Sequence, residues 1–225
     1  LVVGGPAYRV SQNMIAYNAG NGILVSPAGE WPAKGQAEIV NNVVSSNAGY
    51  GIYIDGGARA LVRENLVENN QIGVLTGKGV LELAHNTIVL NTGYALVLTE
   101  ASRAKLSRNI IANNGQGVWV DADADLNSEE NVVYGHILRS GFLLYDVNYI
   151  RQDWMPTLSG DEFQVKVMPA DELRAPSDLN IDPGFVDLGA DYRLRPESEV
   201  LKRFTTGRLP GAFPAIDAEA SLADK

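Results

Sequence analysis

Residues 65–76, Asn-Leu-Val-Glu-Asn-Asn-Gln-Ile-Gly-Val-Leu-Thr, contain the pattern that decides the fold. Asn65 opens the stretch, a second asparagine follows five positions later at Asn70, and Gly73 precedes a further apolar run. The apolar residues recur with a period of two, which is typical of short β-strands and not of helices. The stretch therefore predicts short strands joined by tight corners.

The same pattern returns along the first 131 residues. One asparagine series comprises Asn13, Asn42, Asn65, Asn86, Asn109 and Asn131. A second series lies five residues after the first and comprises Asn18, Asn47, Asn70, Asn91 and Asn114. Successive spacings in the first series are 29, 23, 21, 23 and 22 residues. A repeat of about 22 residues with three strands and no helix predicts an all-β solenoid, in which strands of successive coils pair about 4.8 Å apart. We expect about six such coils.

The recurring asparagines suit the corners of such a coil. A sharp corner requires a left-handed backbone conformation, which asparagine tolerates better than most residues, so we expect the asparagines themselves to adopt it. Because every coil would turn at the same place, the side-chain amides would stack and hydrogen-bond along the axis. The sequence therefore predicts an asparagine ladder.

This repeat resembles that of the right-handed parallel β-helix proteins of the pectin-lyase-like superfamily, over about residues 8–134. Further on, Asp182-Pro-Gly-Phe-Val-Asp187 and Gly211-Ala-Phe213 are similar to the closing segment of many bacterial members, whereas residues 166–179 look like an insertion. The resemblance implies a single-stranded, right-handed parallel β-helix with coils over residues 1–135, and it implies further coils upstream of Leu1. An irregular C-terminal tail over residues 136–225 is expected to pack along the coils or cap them. Activity stays open, because this fold hosts lyases, hydrolases, epimerases and non-catalytic adhesins.

The composition disfavours several classes of function. Asp and Glu number 27 against 18 Lys and Arg, a net charge of -9 that disfavours binding to nucleic acid. No apolar run approaches the roughly 18 residues of a membrane span. The chain has no cysteine, which excludes disulfides, thiolate metal sites and cysteine nucleophiles. A chain without cysteine is compatible with an extracellular, periplasmic or cell-surface location.

One outward face of the predicted solenoid is apolar and aromatic. Alternation along the strand after each glycine turns five residues outward, namely Leu24, Tyr53, Leu75, Val97 and Trp119. Such a stripe exceeds the apolar patch that a monomer normally shows, so we expect something to cover it. The candidates are residues 136–176 of the tail, a protein partner, and a polysaccharide whose sugar rings stack on Tyr53, Tyr94 and Trp119.

A second column, just before the first asparagine series, contains Glu64, His85 and Arg108 on successive coils, about 5 Å apart. A base between an acid and a cation suits elimination from a uronate, so these residues are weak catalytic candidates. The alternative is a column of mixed charge that avoids repulsion between stacked coils. The other histidine, His136, follows the last coil and is expected at the surface or in the tail.

Acidic residues follow the stripe and are candidates for a metal site. Glu100, Asp121 and Asp123 could hold Ca²⁺, since hard cations take carboxylate oxygens. The alternative is a solvated acidic turn. We predict no other cofactor.

These observations lead to two hypotheses of function. The first is an extracytoplasmic, carbohydrate-associated β-helix that binds an extended polysaccharide, or processes it as a lyase or epimerase. The second is a non-catalytic scaffold that docks a protein partner through the apolar stripe. No catalytic constellation in the sequence decides whether the chain is an enzyme.

Overall fold

A computed structural model describes residues 1–4, 7–27, 35–140, 143–146, 149–153, 166–169, 175–205 and 208–213. Over these residues the chain winds into coils whose strands form three sheets along a common axis. The predicted all-β parallel solenoid is thereby confirmed.

Sheet A takes one strand from each coil and continues into the tail. Its order is β1 (Val2–Gly4), β4 (Ile23–Ser26), β7 (Tyr50–Ile54), β10 (Ile72–Gly77), β13 (Tyr94–Thr99), β16 (Gln116–Asp121), β21 (Tyr149–Asp153) and β22 (Lys166–Pro169). Neighbours pair parallel up to β21, and β22 is antiparallel to β21.

Sheets B and C form the other two walls. The order in sheet B is β2 (Ala7–Ser11), β5 (Gln36–Val40), β8 (Arg59–Arg63), β11 (Val80–Ala84), β14 (Arg103–Ser107) and β17 (Asp125–Glu129). The order in sheet C is β3 (Met14–Ala16), β6 (Val43–Ser45), β9 (Leu66–Glu68), β12 (Thr87–Val89), β15 (Ile110–Ala112) and β18 (Val132–Tyr134). The remaining described elements are two antiparallel pairs, β19 (Ile137–Ser140) with β20 (Leu143–Asp146) and β23 (Phe185–Asp187) with β24 (Asp191–Leu194), and the helix α1 (Glu199–Arg203).

The core is aliphatic and lies between the three sheets. Sheet A contributes the inward column Ile23, Ile52, Val74, Leu96 and Val118, each fully buried, as alternation predicts. Sheet B contributes alternate residues such as Ile39, Val62 and Leu83. Each coil therefore stacks like residues on like residues.

Both asparagine ladders are present. In each rung the backbone N–H and the Nδ2 of one asparagine donate to the Oδ1 of the asparagine in the next coil, at 2.7 to 3.2 Å. The Nδ2 of Asn65 also donates to the carbonyls of Ile39 and Arg63, at 2.8 and 2.9 Å. Buried amides therefore find partners along the axis and across the corner.

The left-handed residues are not the ladder asparagines, so that part of the prediction is wrong. The residue immediately before each ladder asparagine has a positive φ, as in Glu64 (59°), His85 (53°) and Arg108 (52°). Placing the left-handed turn one residue earlier leaves the asparagine side chain free to point along the ladder. Side chains of many types occupy the turn position, although a left-handed φ costs a residue other than glycine free energy.

The first ladder ends on a residue from the tail. Asp178 is buried, and its Oδ1 accepts from the backbone N–H of Asn131 at 2.8 Å and from its Nδ2 at 3.2 Å. Its Oδ2 accepts from the hydroxyl of Ser128, and Leu179 pairs with Val132 in parallel. A carboxylate only accepts hydrogen bonds, which suits the last rung of a ladder.

His136 occupies the next rung of the second ladder and is fully buried, so its expected surface position is wrong. It follows Gly135, which has a φ of 71°, as each asparagine of that ladder follows a left-handed residue. The imidazole Nε2 of His136 lies 3.1 Å from the carbonyl oxygen of Ile111. One coil earlier, the Nδ2 of Asn114 donates to the carbonyl of Ile88 in the equivalent position. Burial lowers the pKa of His136 to about 4, so the side chain is neutral in the folded protein.

The described tail packs on the outer face of sheet C. Outward residues Leu66, Ile110 and Val132 form a second apolar cluster with Phe185 and Tyr192. Val200 of α1 is buried in the same cluster. Sheet C therefore buries apolar residues on both faces, which explains why each of its three-residue strands contains at least two apolar residues.

We predict that Asp178→Ala lowers the free energy of unfolding by about 3 kcal/mol, because the Asn131 and Ser128 donors lose a buried acceptor. Asp178→Asn keeps one acceptor oxygen and should cost less. The exposed Asp123 is the control, since Asp123→Ala should stay within about 0.5 kcal/mol of the wild type. Urea unfolding measures all three, and equal stability of Asp178→Ala and Asp123→Ala would contradict the ladder cap.

We also predict that His136 makes stability depend on pH. The pKa of His136 in the folded protein lies below the unfolded value of about 6.5, so the unfolded chain binds a proton more readily than the folded one. The contribution of neutral His136 to the free energy of unfolding is therefore present above pH 6.5 and is lost as the pH falls towards 4. A shift of this size corresponds to roughly 3 kcal/mol. His136→Asn, which restores an asparagine rung, should flatten this part of the profile.

Proton NMR of the two imidazoles tests the same claim, with His136→Asn and His85→Asn giving the assignment. A His136 resonance that titrates near pH 6.5 would refute it.

Candidate functional site

Four partly exposed rings define a surface on sheet A that we call the aromatic face: Tyr50, Tyr53, Tyr94 and Trp119. Tyr53 and Trp119 point outward from β7 and β16, with Leu75 and Val97 between them in register. Three strand spacings separate the two rings by about 14 Å. Leu75 and Val97 are only 9% and 7% exposed, so the rings supply most of the accessible surface of the stripe.

The rings are arranged in two edge-to-face pairs. Tyr50 contacts Tyr53 and Tyr94 contacts Trp119, each with ring centroids 5.4 Å apart. Gly51 and Ile52 are successive buried positions, and this break in the alternation puts Tyr50 and Tyr53 on the same side. Only glycine fits at position 51, because a Cβ there would lie 2.7 Å from the carbonyl oxygen of Gly73.

A column of three polar side chains and one glycine lies beside the rings, two positions further along each strand. This acceptor column comprises Asp55, Gly77, Thr99 and Asp121, as the pairings of the preceding residues and of Gly77 with Thr99 show. Gly77 leaves a gap, since a Cβ there would lie 3.6 Å from both the Tyr53 hydroxyl and the Thr99 Oγ1. Gly77 and Thr99 were not predicted as site residues from the sequence, although the alternation that identified the stripe also places them in this column.

The acceptor column fixes the rings. The Tyr53 hydroxyl donates to Asp55 Oδ1 at 2.9 Å, and Trp119 Nε1 donates to Asp121 Oδ1 at 2.7 Å. Burial, assisted by Asp55, raises the pKa of Tyr53 to about 12, so the hydroxyl stays protonated and continues to donate at neutral pH.

Two of the acidic residues proposed for Ca²⁺, Glu100 and Asp121, are bonded to other groups of the protein. Glu100 Oε2 lies 2.7 Å from Lys78 Nζ, and the backbone N–H of Glu100 donates to Asp121 Oδ2 at 3.1 Å. Asp123 is exposed. Among the described residues, no group of three or more His, Cys, Asp or Glu side chains is placed to hold a metal ion.

Glu64, His85 and Arg108 do form a column, but the C-terminal segment 208–213 lies over it. Arg208 pairs with Glu64 at 2.7 Å, and the Leu209 carbonyl lies 2.9 Å from His85 Nδ1. Arg108 pairs in turn with Glu130 at 2.6 Å.

These contacts also set the charge states of the column. The hydrogen bond from Arg208 lowers the pKa of Glu64, and burial lowers the pKa of His85. The geometry gives each side chain a structural partner and adds no support to the catalytic hypothesis.

Gly211 anchors this C-terminal segment. Its N–H donates to the Arg108 carbonyl at 2.9 Å, and the next N–H, of Ala212, donates to Thr87 Oγ1 at 3.0 Å. Gly211 has a φ of 88°, and a Cβ there would lie 2.7 Å from Ile110 Cδ1. The position therefore requires glycine for both its backbone angle and its close approach.

Of residues 136–176, one of the predicted covers of the stripe, the described strands β21 and β22 lie at the edge of sheet A. β21 pairs with β16 so that Ile150 is the neighbour of Trp119, and β22 adds beyond β21. These strands lengthen sheet A and do not cross its face. The apolar residues Phe142, Trp154 and Met155 lie outside the described residues.

Apart from the aromatic face, a concavity of about 690 Å³ lies at the corner between sheets C and A. Uncharged residues line it, including Tyr17, Ser46, Asn69, Gln71 and Thr92. Tyr17 is 82% exposed.

Comparison with known families identifies the family to which the chain belongs. A family model described as "Right handed beta helix region" matches residues 1–151. The chain belongs to the right-handed β-helix family. No curated protein and no solved structure matches it significantly. Membership of this β-helix family fits the three parallel sheets but assigns no activity, since unrelated functions share the fold. Among the described residues of this β-helix, no helix is long and apolar enough to cross a membrane.

We predict that Gly211→Ala lowers the free energy of unfolding by about 2 kcal/mol, because the side chain strains the backbone and overlaps Ile110. Gly20→Ala is the matched control, since a Cβ at Gly20 meets nothing within 4 Å. Urea unfolding measures both variants, and equal stability would show that the segment is not anchored at this residue.

Proposed function

We propose that the aromatic face binds an extended polysaccharide that runs along the solenoid axis. The observation that carries this proposal is the arrangement of Tyr53 and Trp119, each backed by a second ring and each hydrogen-bonded to a carboxylate beside it.

The chemistry of a sugar ring matches such a surface. A pyranose presents C–H groups on its faces and hydroxyls around its edge, so it can stack on an aromatic ring while its hydroxyls reach polar groups at the side. On this face, Asp55, Thr99 and Asp121 provide oxygen acceptors next to the rings. Aromatic surface and hydrogen-bond acceptors therefore lie side by side on this face.

The rings are held before any ligand arrives. Edge-to-face packing and the bonds from Tyr53 to Asp55 and from Trp119 to Asp121 restrict their rotation. A rigid surface loses little conformational entropy on binding, which favours affinity.

The two ring pairs favour a polymer over a single sugar. Tyr53 and Trp119 lie at the same strand position three spacings apart, about 14 Å along the axis, and Tyr50 and Tyr94 lie two spacings apart. That distance spans several sugar units, so one chain could contact both pairs and gain from their combination.

Binding, and not cleavage, is the activity that we propose. The acid–base column of Glu64, His85 and Arg108 lies beneath residues 208–213 and carries structural bonds. Because long polysaccharides occur mainly outside the cytoplasm, we propose an extracellular, periplasmic or cell-surface location.

We predict that Trp119→Ala and Tyr53→Ala each weaken binding of soluble oligosaccharides at least about tenfold, or about 1.4 kcal/mol. Isothermal titration calorimetry of the full chain against a panel of cello-, xylo-, manno- and galacturono-oligosaccharides measures this effect. Tyr17→Ala is the matched control, because it removes an exposed ring at the concavity between sheets C and A, away from the aromatic face. Unchanged urea midpoints would show that the variants fold.

Two outcomes would contradict the proposal. If Tyr17→Ala abolishes binding while Trp119→Ala does not, the sugar binds at the corner between sheets C and A. If no oligosaccharide of the panel binds, the aromatic face does not recognise glycans, and docking of a protein partner becomes the better hypothesis.

A further inference from the structure

We propose that the glycan bound by the aromatic face carries no carboxylates, and that the acceptor column rejects uronate polymers. This inference rests on the proposed function and specifies its ligand class. It departs from the uronate substrate that the sequence analysis considered for a catalytic form of the chain.

The acceptor column and the turns that follow it are together negatively charged. Four carboxylates, Asp55, Glu100, Asp121 and Asp123, stand against one ammonium, Lys78, which leaves a net charge of three negatives. Lys78 forms an ion pair with Glu100 at 2.7 Å, so the one cation of this group is already engaged. A polymer with a carboxylate on every sugar would therefore meet repulsion along its whole length.

The other side of the face does not offset this charge. The column that borders it there is Tyr50, Ile72, Tyr94 and Gln116, which carries no charge at neutral pH. Two arginines, Arg59 and Arg103, lie past these turns at the start of strands in sheet B, and Arg103 pairs with Asp125 at 3.6 Å.

Carboxylates are nevertheless suited to neutral sugars. Asp55 Oδ1 accepts only the Tyr53 hydroxyl among the bonds of the described residues, and each carboxylate oxygen has a second lone pair. A sugar hydroxyl that enters the gap above Gly77 would lie near Asp55, Thr99 and the Tyr53 hydroxyl. Hydrogen bonds to an ionised acceptor are stronger than those between neutral groups, so this column favours hydroxyl donors.

The same charge does not exclude a cationic glycan. Lys78 stands near Asp55 and Glu100, but the group keeps a net negative charge that would attract amino groups.

The test compares glycans of equal length that differ in charge. Calorimetry of the full chain uses neutral cello-, xylo- and manno-oligosaccharides, anionic galacturonate and alginate oligomers, and cationic deacetylated chito-oligosaccharides. We expect the best neutral oligomer to bind at least about tenfold more tightly than any uronate oligomer, and the cationic oligomers to bind more tightly than the uronates. Salt at about 1 M, which screens charges beyond about 3 Å, should improve uronate binding and leave neutral binding nearly unchanged.

Charge neutralisation gives the matched variants. The double change Asp55→Asn and Asp121→Asn should weaken neutral binding several-fold and strengthen uronate binding, so the gap between the two classes narrows. Glu129→Gln is the control, because this exposed carboxylate lies on β17 of sheet B. It removes one negative charge, against two in the double variant, and does so without touching the aromatic face.

The outcomes separate this inference from the function beneath it. Binding of a uronate that is tighter than any neutral oligomer and is lost in Trp119→Ala would overturn the inference and leave the aromatic face as the glycan site. An unchanged preference in the double variant would also overturn it. Failure of every glycan to bind would reject the proposed function itself.

Discussion

The structure depends on one constraint, the fixed register between successive coils. Strand neighbours pair without offset, and each ladder asparagine donates both its backbone N–H and its Nδ2 to a single oxygen in the next coil. A shift of one residue would break both ladders and would turn the core residues outward. Because the register cannot slip, every position in the repeat becomes a column of side chains along the axis.

The ladders also explain how the solenoid ends. An asparagine must both accept from one neighbour and donate to the next, whereas the last rung needs no ladder donor. Asp178 fills that position in the first ladder with an acceptor-only group, and the buried neutral imidazole of His136 follows the second, with its Nε2 beside the Ile111 carbonyl. The segment that supplies Asp178 lies 47 residues beyond Asn131, so a distant part of the chain completes the stack.

Two outer faces of the solenoid are apolar, and the protein treats them differently. The face of sheet C is buried under Phe185, Tyr192 and the helix α1. The face of sheet A keeps partly exposed rings whose polar tips are bonded to Asp55 and Asp121. The rings of sheet A stay partly exposed, whereas the outer residues of sheet C are buried by the tail, and this contrast is why we propose a ligand for sheet A and a structural role for sheet C.

The sequence by itself determined the repeat, the parallel solenoid, both ladders and the outward stripe with Tyr53 and Trp119. These features are local and periodic, so alternation and spacing are sufficient to derive them. Tertiary structure alone decided what covers each face, because Leu66 and Phe185 lie 119 residues apart and no spacing rule joins them. It also decided that residues 208–213 lie over Glu64 and His85, that the residue before each ladder asparagine takes the left-handed turn, and that His136 is buried. Such contacts depend on where a non-repeating tail returns to the stack, and a repeat pattern carries no information about that path.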